Sequence, residues 1–281
     1  MRNLPTPKFD AEFYFEKISK EKSEDISNRL CRMKKRIKAA YKNYTDNIDS
    51  LESIDPIGIN GLREKALLHA YNIPTRTMKS LRDNLLNPDI EDFDECPYCG
   101  INEPKTLDHY LPKEKFPEYA IFPPNLIPIC NICNSKYKGI KFLSDDGDKL
   151  FIHSYFDIFP EFDFIQVNID VGDKISLTFS STDDPDNNAF SLLLSNHFTQ
   201  LELNRRFTRK SSAEISRKRK SLSRFYQSGG HTKVSRALKN IAEELRDSLS
   251  GNHWKVALYD GLSASKDFCD QGFLRPVQKA I

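Results

Sequence analysis

The sequence predicts an α+β protein in which a small four-cysteine core is inserted between largely helical N- and C-terminal regions. Three observations predict it. Cys96 and Cys99, and again Cys130 and Cys133, are spaced as Cys-x-x-Cys with 30 residues between the pairs. Two such turns complete the tetrahedral thiolate set that Zn²⁺ prefers, and four cysteines leave no open position, so this zinc is expected to be structural. Between the pairs, two short apolar runs at 106–111 and 125–129 read as the strands of a hairpin. On either side, apolar residues recur at steps of three and four. The expected organisation is therefore a helical region over 1–94, the core over 95–160, and a hairpin followed by helices over 161–281.

Composition narrows the class. Charged residues make up 29% of the 281, and no apolar run approaches the ~18 residues of a membrane span, so no membrane partner is expected. The first residues lack the apolar centre of a secretory signal. The six cysteines, four of them in zinc spacing, speak against a disulfide framework, so a cytoplasmic location is expected. A net charge of +2 decides nothing about nucleic acid, because the placement of charges matters more than their sum.

From Ser23 onward, Ile26, Leu30, Met33, Ile37, Tyr41 and Tyr44 mark one face of a helix. Arg29, Arg32, Lys34, Lys35, Arg36, Lys38 and Lys42 crowd the other, either as a strip that tracks phosphates or as a solvated face. Two shorter helices are predicted over 61–71 and 75–86, the second stopped by Pro88. The acidic stretch 89–95 reads as a linker into the first cysteine pair.

Inside the core, Asp108-His109 and Asn125 lie between the cysteine pairs, and Asn134 follows the last cysteine. An adjacent Asp-His pair on a strand points its side chains to opposite faces, so the pair is expected at a strand end or bend. Residues 113–124 carry Pro117, Pro123 and Pro124, which make the connection stiff. Residues 130–138 would turn into a short helix. Lys136 and Lys138 there either hold substrate phosphates or are solvated helix charges.

This set of residues resembles the motif of the HNH, or ββα-metal, nucleases in the version framed by two Cys-x-x-Cys knuckles. The resemblance implies a treble-clef-like zinc core that grips a second, catalytic ion beside a scissile phosphate. It makes Asp108 a ligand of that ion and His109 the general base that takes a proton from the attacking water. Asn125 would steady the loop carrying the histidine, and Asn134 would be the last metal-binding position. The plain motif ends in His, whereas this sequence has Asn134, and an oxygen ligand there suits Mg²⁺ or Mn²⁺. The residue types fit the chemistry. Imidazole titrates nearest neutrality, and a hard cation offsets charge on the phosphoryl oxygens. The wording around the site is also similar to HNH subunits of bacterial anti-phage systems of the Septu type, which implies antiviral defence and an ATPase or sensor partner. No P-loop occurs in this chain.

Past the core, residues 164–170 and 175–180 alternate around Gly172 as a second hairpin. A helical run over 201–225 then carries Arg205, Arg206, Arg209, Lys210, Arg217, Lys218, Arg219, Lys220 and Arg224, with Glu214 the single acid between 205 and 224. That density points to DNA, with RNA not excluded, or to a partner surface. Val234, Leu238, Ile241, Leu245 and Leu249 predict a final amphipathic helix.

Two functions from different classes remain. One is a metal-dependent DNA endonuclease. The other is a non-catalytic treble-clef module that binds nucleic acid or protein. The acid, base and amide at 108, 109 and 134 favour the first, because a binding module has no use for them. A zinc deaminase is excluded, since no His-x-Glu precedes the cysteines and the zinc has no open position.

Overall fold

The computed structural model describes residues 1–88 and 93–279, so part of the expected linker over 89–95 lies outside the described residues. The chain divides into two units, Asn3–Ile158 and Phe159–Ile281, the latter together with Met1–Arg2. The division expected after residue 94 separates no units: the N-terminal helices and the cysteine core fold together. The reason is packing that sequence separation hides. Tyr41 stacks on Phe122 with ring centroids 4.2 Å apart, and the Tyr119 ring meets Tyr44 edge-on at 5.1 Å.

In the first unit, α1 spans Ala11–Lys20, α2 Glu24–Asp46, α3 Gly61–Asn72 and α4 Arg76–Leu86. The side chain of Asp10 accepts from the Phe13 N–H at the start of α1, and Thr75 does the same for Met78 at α4, which satisfies donors the helix leaves open. α2 buries Leu30, Met33, Ile37, Tyr41 and Tyr44. Its basic face is largely engaged in ion pairs. Lys34 meets Glu16 at 2.6 Å and Lys38 meets Glu12 at 2.9 Å, both from α1, while Lys42 pairs with Asp46 at 2.5 Å.

The hairpin follows. β1 (Thr106–His109) pairs antiparallel with β2 (Leu126–Ile129), setting Asp108 opposite Ile127 and His109 opposite Leu126. Both strands are shorter than the sequence suggested, because Asn125 gathers the chain at their open end. Its backbone oxygen takes the Tyr110 N–H at 2.9 Å and its side chain takes the Leu111 N–H at 2.8 Å. The connection contains two 3₁₀ turns, Pro117–Tyr119 and Pro123–Asn125, each opened by proline. Phe116, Tyr119 and Phe122 are buried. After Cys130 the chain enters a π-helix over Ile132–Lys138, a form that is rare and recurs at functional sites. Gly139, at φ 54°, ends it and donates to the Asn134 carbonyl oxygen at 2.7 Å.

In the second unit, β3 (Ile165–Val171) and β4 (Ile175–Ser181) form an antiparallel hairpin in register from Ile165↔Ser181 to Val171↔Ile175. α5 (Asn188–Gln200), α6 (Leu203–Leu249), α7 (Trp254–Ala264) and α8 (Lys266–Cys269) complete it. The hairpin packs against α6 and α7, with Phe207 ringed by Phe179, Phe198 and Trp254. α6 breaks at Gly229-Gly230, where Gly230 takes φ 62°. Among the described residues no helix is long and apolar enough to cross a membrane.

Candidate functional site

The four cysteines come together as their spacing predicts. All four are buried, and their Sγ atoms lie within 4.8 Å of one another. The Cys99 and Cys130 sulfurs are 4.0 Å apart, near the ~3.8 Å that a tetrahedral ion with Zn–S bonds of about 2.3 Å requires. Backbone amides point at the sulfurs, as thiolates need: Cys130 N–H donates to Cys96 Sγ at 3.3 Å and Cys133 N–H to Cys130 Sγ at 3.4 Å. Hydrogen bonds from the neighbouring thiols hold the Cys130 thiol far below its usual range, while burial pushes the Cys96 thiol up. Four clustered sulfurs cannot all ionise without a cation, so the donor set fits a metal such as zinc.

One edge of the hairpin borders a cleft of about 530 Å³ whose walls include Asp108, His109 and Asn134. His109 is the last residue of β1, so its ring is not committed to the regular pleat. Its Nε2 lies 2.9 Å from the Ala120 carbonyl oxygen. A carbonyl only accepts, so Nε2 carries the proton and Nδ1 keeps its lone pair. Burial pushes the imidazole pKa down to about 3, with the Ala120 hydrogen bond opposing and the charges of Lys113, Lys138 and Arg82 assisting. At neutral pH the ring is therefore an uncharged proton acceptor.

Asp108 is 2% exposed. Its Oδ1 accepts from Lys138 Nζ at 3.1 Å, while Oδ2 is buried with no hydrogen-bonded partner among the described residues. Burial raises the carboxyl pKa against the pull of Lys138. Asn134 donates through Nδ2 to Thr106 Oγ1 at 3.1 Å and to the Leu107 carbonyl oxygen at 3.3 Å, which ties the π-helix to β1. Its Oδ1 is the end left over. Asp108 and Asn134 thus line one cleft with a carboxylate and an amide, oxygen donors of the kind that divalent cations take.

Asn125 is fully buried behind the cleft. It accepts the Leu111 N–H through Oδ1, donates through Nδ2 to the Leu111 carbonyl oxygen at 3.1 Å, and receives the Tyr44 hydroxyl at 3.3 Å. The segment just after His109 is pinned by it. His153, which invites reading as an additional ligand, is a buried structural histidine: its Nδ1 takes the Tyr155 N–H at 3.3 Å, and Nε2 lies 3.0 Å from the Tyr44 hydroxyl.

Two of the expected substrate contacts need correcting. Lys138 is 1% exposed, and its ammonium is held by Asp108 Oδ1 and by the carbonyls of His109 at 2.9 Å and Tyr110 at 3.3 Å. It clamps the end of β1 and is closed to a phosphate. Arg206 is likewise buried, donating to the Leu201 carbonyl oxygen at 3.2 Å. Lys136 is exposed, with Nζ 5.0 Å from the Tyr137 ring centroid. On α6, Arg205 pairs with Glu202 at 2.6 Å and Arg217 lies 3.5 Å from Glu214, whereas Arg209 and Lys210 are exposed. Three further side chains on the cleft wall, Tyr71, Arg82 and Lys113, were not singled out from the sequence. Tyr71 and Arg82 arrive from α3 and α4, and no motif or spacing in those helices marks them.

The fold and cage define an α+β protein with a four-cysteine metal-binding cluster set between helical regions. Protein ea31 of Escherichia phage lambda is 30% identical to it in an alignment 227 residues long that covers 74% of this chain and 71% of that protein. The chain belongs to the same family as that phage protein. No protein-family model matches the chain, and no solved structure does.

Proposed function

We propose that the protein is a metal-dependent endonuclease of the HNH type, hydrolysing phosphodiester bonds of DNA in the cleft beside β1. The observation that supports this is the sharing of one cleft by His109, Asp108 and Asn134, with the imidazole tautomer fixed so that Nδ1 is the free acceptor. Zn²⁺ in the cysteine cage would be structural and would hold hairpin and π-helix in register. A divalent ion such as Mg²⁺ or Mn²⁺, held by Asp108 Oδ2 and Asn134 Oδ1, would offset charge building on the phosphoryl and leaving oxygens. His109 takes the proton of the attacking water through Nδ1. Ala120 keeps the ring from turning, and Asn125 holds the backbone just beyond it. Lys138 pairs with Asp108 Oδ1 and so holds the carboxylate in one orientation. The exposed cations of α6 serve as a sequence-independent DNA contact.

The test compares wild type with His109→Ala on plasmid, linear duplex and single strands in Mg²⁺ and in Mn²⁺. The variant should keep its fold and DNA affinity and lose at least about a hundredfold in cleavage, the lower range of a general base's contribution. Equal cutting by both proteins removes His109 from the mechanism. Absence of cutting by wild type on every substrate, with DNA still bound, favours the binding-module reading.

A further inference from the structure

The cleft has a wall that the hairpin and π-helix do not supply. Tyr71, from α3, sets its ring edge-on to the His109 imidazole, with centroids 4.3 Å apart and planes at 70°, and its hydroxyl donates to the Leu107 carbonyl oxygen at 3.4 Å. Arg82, from α4, lies over that ring with its guanidinium carbon 4.1 Å from the centroid, and donates through Nη2 to the Tyr71 carbonyl oxygen at 2.5 Å. These contacts fix the guanidinium in place, and neither involves an acid. Among the described residues no carboxylate forms an ion pair with Arg82, and its Nε–H is buried with no acceptor. Buried donors of that kind are rare without a ligand, a water or an ion to receive them. Lys113 stands on the same wall, its Nζ 5.9 Å from the Tyr71 centroid, but its charge is matched by Glu114 at 2.7 Å, so Arg82 is the cation there that no described carboxylate pairs. A planar cation that no carboxylate pairs among the described residues, carrying an unused donor, suits an oxyanion.

We propose that Arg82, laid flat on Tyr71, is a phosphate-positioning residue: its guanidinium donates to a non-bridging oxygen of the phosphodiester and seats it beside the His109 ring. The proposal rests on the nuclease reading for the identity of the phosphate as part of a nucleic acid. The anion site itself can be read without cleavage. It also makes the N-terminal helices part of the substrate site.

Two measurements on the full-length protein separate the claims. In the first, inorganic phosphate is titrated against chloride of equal ionic strength while the thermal midpoint is followed. Wild type should gain stability with phosphate, and Arg82→Gln, which keeps a planar amide over Tyr71 without the charge, should not. In the second, KM and kcat are measured for duplex cleavage by wild type, Arg82→Gln and Arg82→Lys. The glutamine variant should raise KM by about ten- to a hundredfold, the factor of one charge-assisted hydrogen bond, and lysine should recover part of it. A merely structural arginine would lower the midpoint in both variants and leave KM and the phosphate response alone. If wild type cuts DNA while Arg82→Gln matches it in KM and in phosphate response, the arginine assignment is overturned and the nuclease reading stands. If wild type cuts nothing yet shows an Arg82-dependent phosphate response, the nuclease reading fails and the anion site stands.

Discussion

A lysine ammonium inside a protein needs both its charge and its N–H donors met, and Lys138 meets them with Asp108 and two carbonyls at the end of β1. Removing one partner of a buried pair leaves the other charge uncompensated. Lys138→Met should therefore lower stability by about 3–5 kcal/mol in urea unfolding, far more than an exposed lysine would. A variant as stable as wild type that binds DNA more weakly would return Lys138 to the phosphate-contact role. The contrast with Asp108, His109 and Asn125 explains what a sequence discloses at this scale. Those three are marked by adjacency and by position between the cysteine pairs. Lys138 looks like any charge on a short helix until the carboxylate 30 positions earlier in the chain is folded against it. Arg82 is hidden in the same way, because its site is built from two helices and a strand end that share no motif.

At the scale of elements, legibility followed periodicity. α2 and α4 stand where steps of three and four placed them, because each presents one apolar stripe to a neighbour. α1 was not foreseen. Its ten residues are too few to be stable on propensity alone, and its Glu12 and Glu16 are held by lysines of α2. α7 was not foreseen for the opposite reason: Trp254, Val256, Ala257, Leu258, Tyr259 and Leu262 are all buried, so no polar face reveals the turn of the helix. The strands of the hairpin are four residues each and the π-helix seven, and short elements of that kind rest on something that ties them. The cysteine cage is that tie. Cys130→Ser, or chelation of the wild type, should release zinc measurable by elemental analysis and lower the thermal midpoint, since metal binding in such a cage is folding free energy. Full zinc content and an unchanged midpoint in the variant would show that the cage is not what ties these elements.

Across the whole molecule the chemistry and the loose positive charge fall in different units. The cage, the cleft and every candidate catalytic side chain belong to Asn3–Ile158, whereas α6 belongs to the other unit. A net charge of +2 conceals this, because Arg29, Lys34, Lys38 and Lys42 of α2 are matched by acids on α1 and α2. On α6 the balance differs. Arg206 is buried and Arg219 donates to the carbonyls of Phe273 and Arg275, but Arg209, Lys210, Lys220 and Arg224 are exposed on a helix whose acids are few in that stretch. If DNA lies along this face, each phosphate contact releases a counterion and steepens the fall of affinity with salt by about 0.9 in the logarithmic slope. Replacing Arg209, Lys210, Lys220 and Arg224 together by alanine should then flatten the slope by up to about 3.6 units, measured by anisotropy with a labelled duplex between low and physiological salt. Zinc content should not change, because no ligand of the cage lies in that unit. A slope equal to that of wild type would mean the phosphates are met elsewhere, and the face would be free for a protein partner.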